Sequence, residues 1–171
     1  MGIKLTGVEA TLSTFRELDR RFKAAAAAEI ERGAKEIAAL ARMFAPIDRG
    51  DLVKSIRALR VNDAGSYKWR VKVGGTIGGR DVSEYAARAH ELMILTRGGK
   101  QVPKIPGRLR PGKKSRQKAE RLGVLVGGDY LARAYKALRK QIEANVRQAL
   151  KGEVNDLARK YQRSKGRSKK K

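Results

Sequence analysis

Ala45-Pro46-Ile47-Asp48-Arg49-Gly50-Asp51-Leu52-Val53-Lys54-Ser55-Ile56 lies between a long amphipathic pattern and a strand-rich middle, and fixes where one ends and the other begins. Pro46 has no backbone N–H, and its ring disfavours helical geometry at Ala45, so a preceding helix must stop there. Asp48 or Asp51 can accept hydrogen bonds from the free N–H groups of a following turn, and Gly50 permits a sharp reversal. Leu52, Ser55 and Ile56 then share one face of a short helix over 50–56.

Upstream, Leu12, Phe15, Phe22, Ile30, Ile37, Leu40 and Phe44 recur at steps of three, four or their multiples. Arg16, Arg20, Lys23, Glu29, Arg32, Lys35 and Glu36 fall largely outside that face, which predicts one long helix from about Val8 to Phe44. Downstream, Tyr67, Trp69, Val71 and Val73 alternate with Lys68, Arg70 and Lys72, the period of a half-buried strand. With Arg57–Val61 and the turn-forming run Asn62-Asp63-Ala64-Gly65-Ser66, this predicts an antiparallel hairpin. Gly74 to Gly79 reads as a loop and Ser83 to Leu92 as a helix.

Residues 97–121 hold Pro103, Pro106 and Pro111 with few apolar residues, which predicts an extended, mobile loop. Gly123 to Gly127 reads as a short buried strand. Asp129 is placed to cap a last helix carrying Leu131, Tyr135, Leu138, Ile142, Val146, Leu150, Val154, Leu157 and Tyr161. The expected fold class is α+β, with long N- and C-terminal helices packed on a small antiparallel sheet. One domain is expected over 1–161, followed by a basic disordered tail over 162–171.

Composition narrows the function. The chain has 171 residues, a net charge of +24 and no cysteine, so disulfides, thiolate metal sites and cysteine nucleophiles are excluded. No apolar run suits a signal peptide or a membrane span, which predicts a soluble protein made in a cytoplasm, without a membrane partner. The charge is concentrated: Arg97–Arg121 and Arg159–Lys171 together hold 17 of the 24 excess positives. Arg108, Arg110, Lys113, Lys114, Arg116 and Lys118 in the first segment are expected to contact an anionic partner. So are Arg163, Lys165, Arg167, Lys169, Lys170 and Lys171 in the second. No aromatic residue interleaves the cations of 97–121, which argues against base stacking there and for phosphates or acidic protein faces.

Catalytic chemistry finds little footing. His90-Glu91 is the only histidine–carboxylate pair, and one histidine does not assemble a typical zinc site. Gly74 to Gly79 imitates the first half of a phosphate-cradling loop. Arg80-Asp81 stand where the lysine and the magnesium-binding hydroxyl belong. Neither a catalytic site, a metal nor a cofactor is expected.

In order along the chain, three segments resemble one family. Ala45 to Ile56 is similar to the signature A-P-[VI]-D-x-G-x-L-x-x-S-I of head–tail joining proteins of long-tailed bacteriophages, also called neck or tail-completion proteins. Tyr85-Ala86 with His90-Glu91 matches the spacing of the family's Y-A-x-x-x-[HE]-E segment. Gly128-Asp129-Tyr130-Leu131-Ala132-Arg133-Ala134 resembles its glycine–aromatic–leucine entry to the final helix. The resemblance implies a structural virion protein with no enzymatic duty, forming a ring, commonly six-fold, at the neck between head and tail. Its implied partners are further copies of itself, the portal or connector adaptor, the tail-terminator or tail-tube proteins, and packaged DNA as a non-specific contact. Assembly would take place in the host cytoplasm. Pro46, Asp48, Gly50, Leu52, Ser55, Ile56, Tyr85, Ala86, His90, Glu91, Tyr130 and Leu131 would then determine the fold. The alternative is a non-specific nucleic-acid-binding protein whose two basic arms are the working parts.

Overall fold

The computed structural model describes residues 8–61, 67–93, 95–97, 100, 101 and 109–168. Along the chain run α1 (Val8–Phe44), α2 (Asp51–Ser55), β1 (Arg57–Val61), β2 (Lys68–Lys72), β3 (Thr76–Ile77), β4 (Arg80–Asp81) and α3 (Ser83–Leu92). Then come β5 (Thr96–Arg97), β6 (Lys100–Gln101), α4 (Lys113–Leu122) and α5 (Tyr130–Ser168). The fold is α+β, as the sequence pattern predicts. Among the described residues its strands form separate two-stranded antiparallel ribbons, β1–β2, β3–β4 and β5–β6, instead of one sheet. The chain divides into two compact units, residues 31–140 and residues 1–30 with 141–171, and α1 and α5 contribute to both.

In the unit of residues 31–140, the joint after α1 forms as its chemistry requires. α1 ends at Phe44, Pro46 is fully buried, and Gly50 starts α2 in the left-handed region at φ 95°. No side chain caps α2, so the expected Asp48 or Asp51 cap is absent: Gly50 itself is the N-cap residue. Leu52, Ser55 and Ile56 all face inward. In β1–β2, Arg57 lies opposite Lys72 and Arg60 opposite Trp69. Ala58, Val71 and Val73 pack towards the core, while alternate cations stay outside. The turn at 62–66 falls outside the described residues.

Two stretches read as loops carry regular structure. Gly78 and Gly79, at φ 57° and 78°, join β3 to β4. A two-residue turn with positive φ at both central positions matches the twist of the strands it connects. The predicted extended loop over 97–121 is corrected at both ends. Arg97 and Lys100 pair in the β5–β6 ribbon, and residues 113–121 are helical. After Pro111-Gly112 no proline remains to oppose helix formation, and Ser115, Lys118 and Ala119 form a narrow buried face at i, i+3 and i+4. The predicted strand over 123–127 does not form either. Gly123 is left-handed at φ 64° and closes α4, Gly127 lies at φ 146°, and between them the chain bends to bury Val126. Asp129, expected to cap α5, precedes it in the left-handed region at φ 51°, and it is its carbonyl that accepts from the N–H of Arg133, at 2.8 Å, with no side-chain capping bond among the described residues. α5 runs past Tyr161 to Ser168, so helix occupies residues 162–168 that the sequence places in the tail.

The core of this unit joins Ala38, Ala41 and Ala45 of the α1 end to Leu52, Ile56, Ala86, Ala89, Met93, Tyr130 and Ala134. Alanine removes little apolar area itself but lets helices approach closely, so the larger Leu52, Ile56, Met93 and Tyr130 supply most of the burial. In the unit of residues 1–30 and 141–171, Arg21 pairs with Glu17 at 3.0 Å within α1 and with Glu153 of α5 at 3.6 Å. No described side chain of that unit is fully buried. Leu12, Phe15 and Val154 are exposed, Phe15 at 63%.

Candidate assembly site at the helix–hairpin joint

A helix that ends abruptly leaves its last carbonyls without intrahelical partners. At the C-terminus of α1 the carbonyls of Arg42, Phe44 and Ala45 are answered by residues distant in sequence. Lys118 donates from Nζ to the carbonyls of Arg42 at 2.6 Å and Ala45 at 2.8 Å, and the Gly127 N–H donates to Phe44 at 3.0 Å. An ammonium also opposes the negative end of the helix dipole. Ser115 fixes the next step: its Oγ accepts from the Ile47 N–H and donates to the Ile47 carbonyl, both at 2.9 Å. Lys114 Nζ donates to the Asp48 carbonyl at 3.1 Å. α4 is therefore a latch across the break that Pro46 creates. Burial, with the neighbouring Arg121 charge second, pulls the Lys118 ammonium down to about 8.

The other side of the joint is tied to the hairpins. Arg42 donates from Nε and Nη2 to the Ile56 carbonyl at 3.0 and 2.7 Å. Ser55 Oγ donates to the Leu52 carbonyl at 2.8 Å and accepts from the Gly74 N–H at 3.2 Å. Ser83 Oγ accepts from the Gly75 N–H at 2.9 Å, and Asp81 accepts from the Ser83 N–H at 2.9 Å; hydrogen bonding by the Ser83 side chain first, and by this N–H second, lowers the Asp81 pKa. Both serine hydroxyls thus bond backbone groups, that of Ser83 together with the Asp81 carboxylate.

α3 and the start of α5 close the core from beyond. Tyr130 is fully buried, donates to the Ala86 carbonyl at 3.2 Å and packs its ring edge-on to His90 with centroids 5.0 Å apart. Burial raises the Tyr130 hydroxyl pKa and, with the Asp48 carboxylate second, that of Tyr85. His90 packs here with its Nε2 buried and without a hydrogen-bond partner. Gly128 donates to the Met93 carbonyl at 3.0 Å, and a Cβ there would lie 2.5 Å from that oxygen. Only glycine fits this crossing. Arg133 reaches the carbonyls of Gly128 at 3.1 Å and Leu125 at 3.0 Å, with its guanidinium 4.8 Å from the centre of the Phe44 ring.

The structure therefore gathers Pro46, Leu52, Ser55, Ile56, Ala86, His90, Tyr130 and Leu131 around one core, with Tyr85 at its edge and Glu91 exposed. Asp48, Arg49, Gly50, Asp51, Arg80, Asp81 and Tyr85 line an open cleft of about 170 Å³ beside it. The expected anion contacts divide. Arg110, Lys113, Lys114 and Arg116 are exposed, whereas Lys118 is only 8% exposed and is spent inside the protein. Arg163 is exposed, while the side chains of Lys165 and Arg167, and residues Arg108, Lys169, Lys170 and Lys171, lie outside what is described. Sequence reading missed Ser115 and Arg42, and gave Gly128 and Arg133 only as part of the motif that enters the final helix. The spacing of Ser115, Lys118 and Ala119 held the signal for the first, hidden by the density of cations around it.

Among the described residues no three His, Asp or Glu side chains come together as metal ligands, and no helix is long and apolar enough to cross a membrane. Residues 9–90 match the HK97-gp10-like family, described as "Bacteriophage HK97-gp10, putative tail-component". That segment covers most of α1, the whole joint, both hairpins through β4 and most of α3. No curated protein and no solved structure matches the chain.

Proposed function

Since residues 9–90 match the HK97-gp10-like family, described as a bacteriophage tail component, we propose that this virion protein forms a ring at the neck, joining the portal-bound connector of the head to the tail. The reading rests chiefly on the unit of residues 1–30 and 141–171. Its helices carry apolar positions at helical spacing, yet no described side chain there is fully buried, and Leu12 and Phe15 stand exposed. Helices in water draw most of their stability from packing an apolar face. A neighbouring copy in a closed ring supplies that packing, and cyclic symmetry repeats the same contact at every subunit.

The joint then has a structural duty. Its hydroxyls, the Lys118 ammonium and the Arg42 guanidinium are all spent on backbone groups, which suits a rigid body that must hold register between two rings. The portal or connector adaptor would meet one axial face and the tail-terminator or tail-tube proteins the other. Averaging of neck particles from virions tests this: a ring of this chain, most simply a hexamer, is expected between portal and tail tube. Virions in which the chain is absent from that position would overturn the reading.

A further inference from the structure

In the unit of residues 1–30 and 141–171, Arg21, Asp156, Arg159, Lys160 and Arg163 line a cleft of about 330 Å³. Arg21 is held in the wall by Glu17 and Glu153, so its charge is largely answered. Arg159, Lys160 and Arg163 are exposed, and no ion pair among the described residues engages them. Three uncommitted cations thus face a single carboxylate, Asp156. Like charges held together with too little counter-charge repel one another, and a polyanion relieves that repulsion.

From this cleft we infer that α5 carries a binding site for the phosphate backbone of duplex DNA, with Arg159, Lys160 and Arg163 as the contacting residues. The lining favours phosphate over an acidic protein face, because protein interfaces centre on apolar and aromatic anchors and the described lining offers only charged side chains. It favours duplex over single strand, because single-strand sites add aromatic platforms for base stacking and the described lining has none. Arginine at two of the three positions suits forked hydrogen bonding to phosphate oxygens. Contacts of this kind position a backbone and read no sequence. The site is independent of ring formation, and its failure would leave the joining role standing.

The test is fluorescence anisotropy of the full chain with a random-sequence duplex, recorded as the logarithm of affinity against the logarithm of salt concentration. Each lost phosphate contact lowers the slope by about 0.9, so Arg159→Gln/Lys160→Gln/Arg163→Gln should flatten it by roughly 2.7. Arg163→Gln alone should flatten it by about 0.9, which keeps the test decisive if the triple variant loses helix. Neutralising Lys165, Arg167, Lys169, Lys170 and Lys171 together should leave the cleft's increment in place. A wild-type slope in both cleft variants would overturn the inference. Displacement of the duplex by polyglutamate at equal charge concentration would overturn it too, assigning the cleft to an acidic protein.

Discussion

Leu52, Gly50 and Gly128 show three different ways in which one residue constrains this fold. Leu52 is 2% exposed and packs beneath the end of α1, so Leu52→Ala should cost about 2–5 kcal/mol in unfolding free energy, read from the denaturant midpoint. At Gly50 nothing lies within 4 Å of an added Cβ, and the penalty is conformational: Gly50→Ala at φ 95° should lose roughly 1–2 kcal/mol. Gly128 has an ordinary φ, and the obstacle is the Met93 carbonyl 2.5 Å from a new Cβ. Gly128→Ala should therefore destabilise more than Gly50→Ala in the same measurement. A smaller loss at Gly128 would show that α5 enters the core with more room than the structure gives it.

At the level of the element, α4 is the informative case. Its Lys118 pKa of about 8 lies below the ordinary 10.5, so between those values the folded state binds fewer protons than the unfolded state. Stability from this group should rise with pH across that window, and below about pH 8 the full cost of the buried charge is present. Denaturation midpoints of wild type and Lys118→Met, compared at pH 7 and pH 9.5, should show the wild type gaining on the variant at the higher pH. Ser115→Ala should cost about 1–3 kcal/mol, because it strips a partner from the Ile47 N–H and carbonyl. An unchanged midpoint would remove the latch from the account. α4 also marks how far the sequence was legible. The spans of α1, α3 and the β1–β2 hairpin follow from periodicity and Pro46, because each element satisfies its own hydrogen bonds and shows a clear apolar face. α4 has a mostly charged exterior and an inward face of Ser115, Lys118 and Ala119, whose value lies in carbonyls about seventy residues away. Composition could not distinguish it from the proline-rich run before it. The β3–β4 turn was obscured in the same way, since Gly78-Gly79 reads equally as loop or hairpin until strands pair around it.

For the whole molecule, the two units differ in how complete they are. Residues 31–140 carry a buried core beside exposed apolar side chains such as Tyr135, while in residues 1–30 and 141–171 no described side chain is fully buried and Leu12, Phe15 and Val154 lie in solvent. The resemblance carried by Ala45–Ile56 and Tyr85–Glu91 was legible because glycine, proline and buried positions define it; ring formation depends on helical surfaces with no comparable signature. Mass photometry of the chain mixed with the portal complex, as wild type and as Leu12→Asp/Phe15→Asp, tests the joining account most directly. The account predicts that the wild type adds the mass of a closed ring, a hexamer in the simplest case, while the double variant keeps its helix content and adds none. A wild type that stays monomeric beside the portal, or a double variant that adds the same ring, would contradict it.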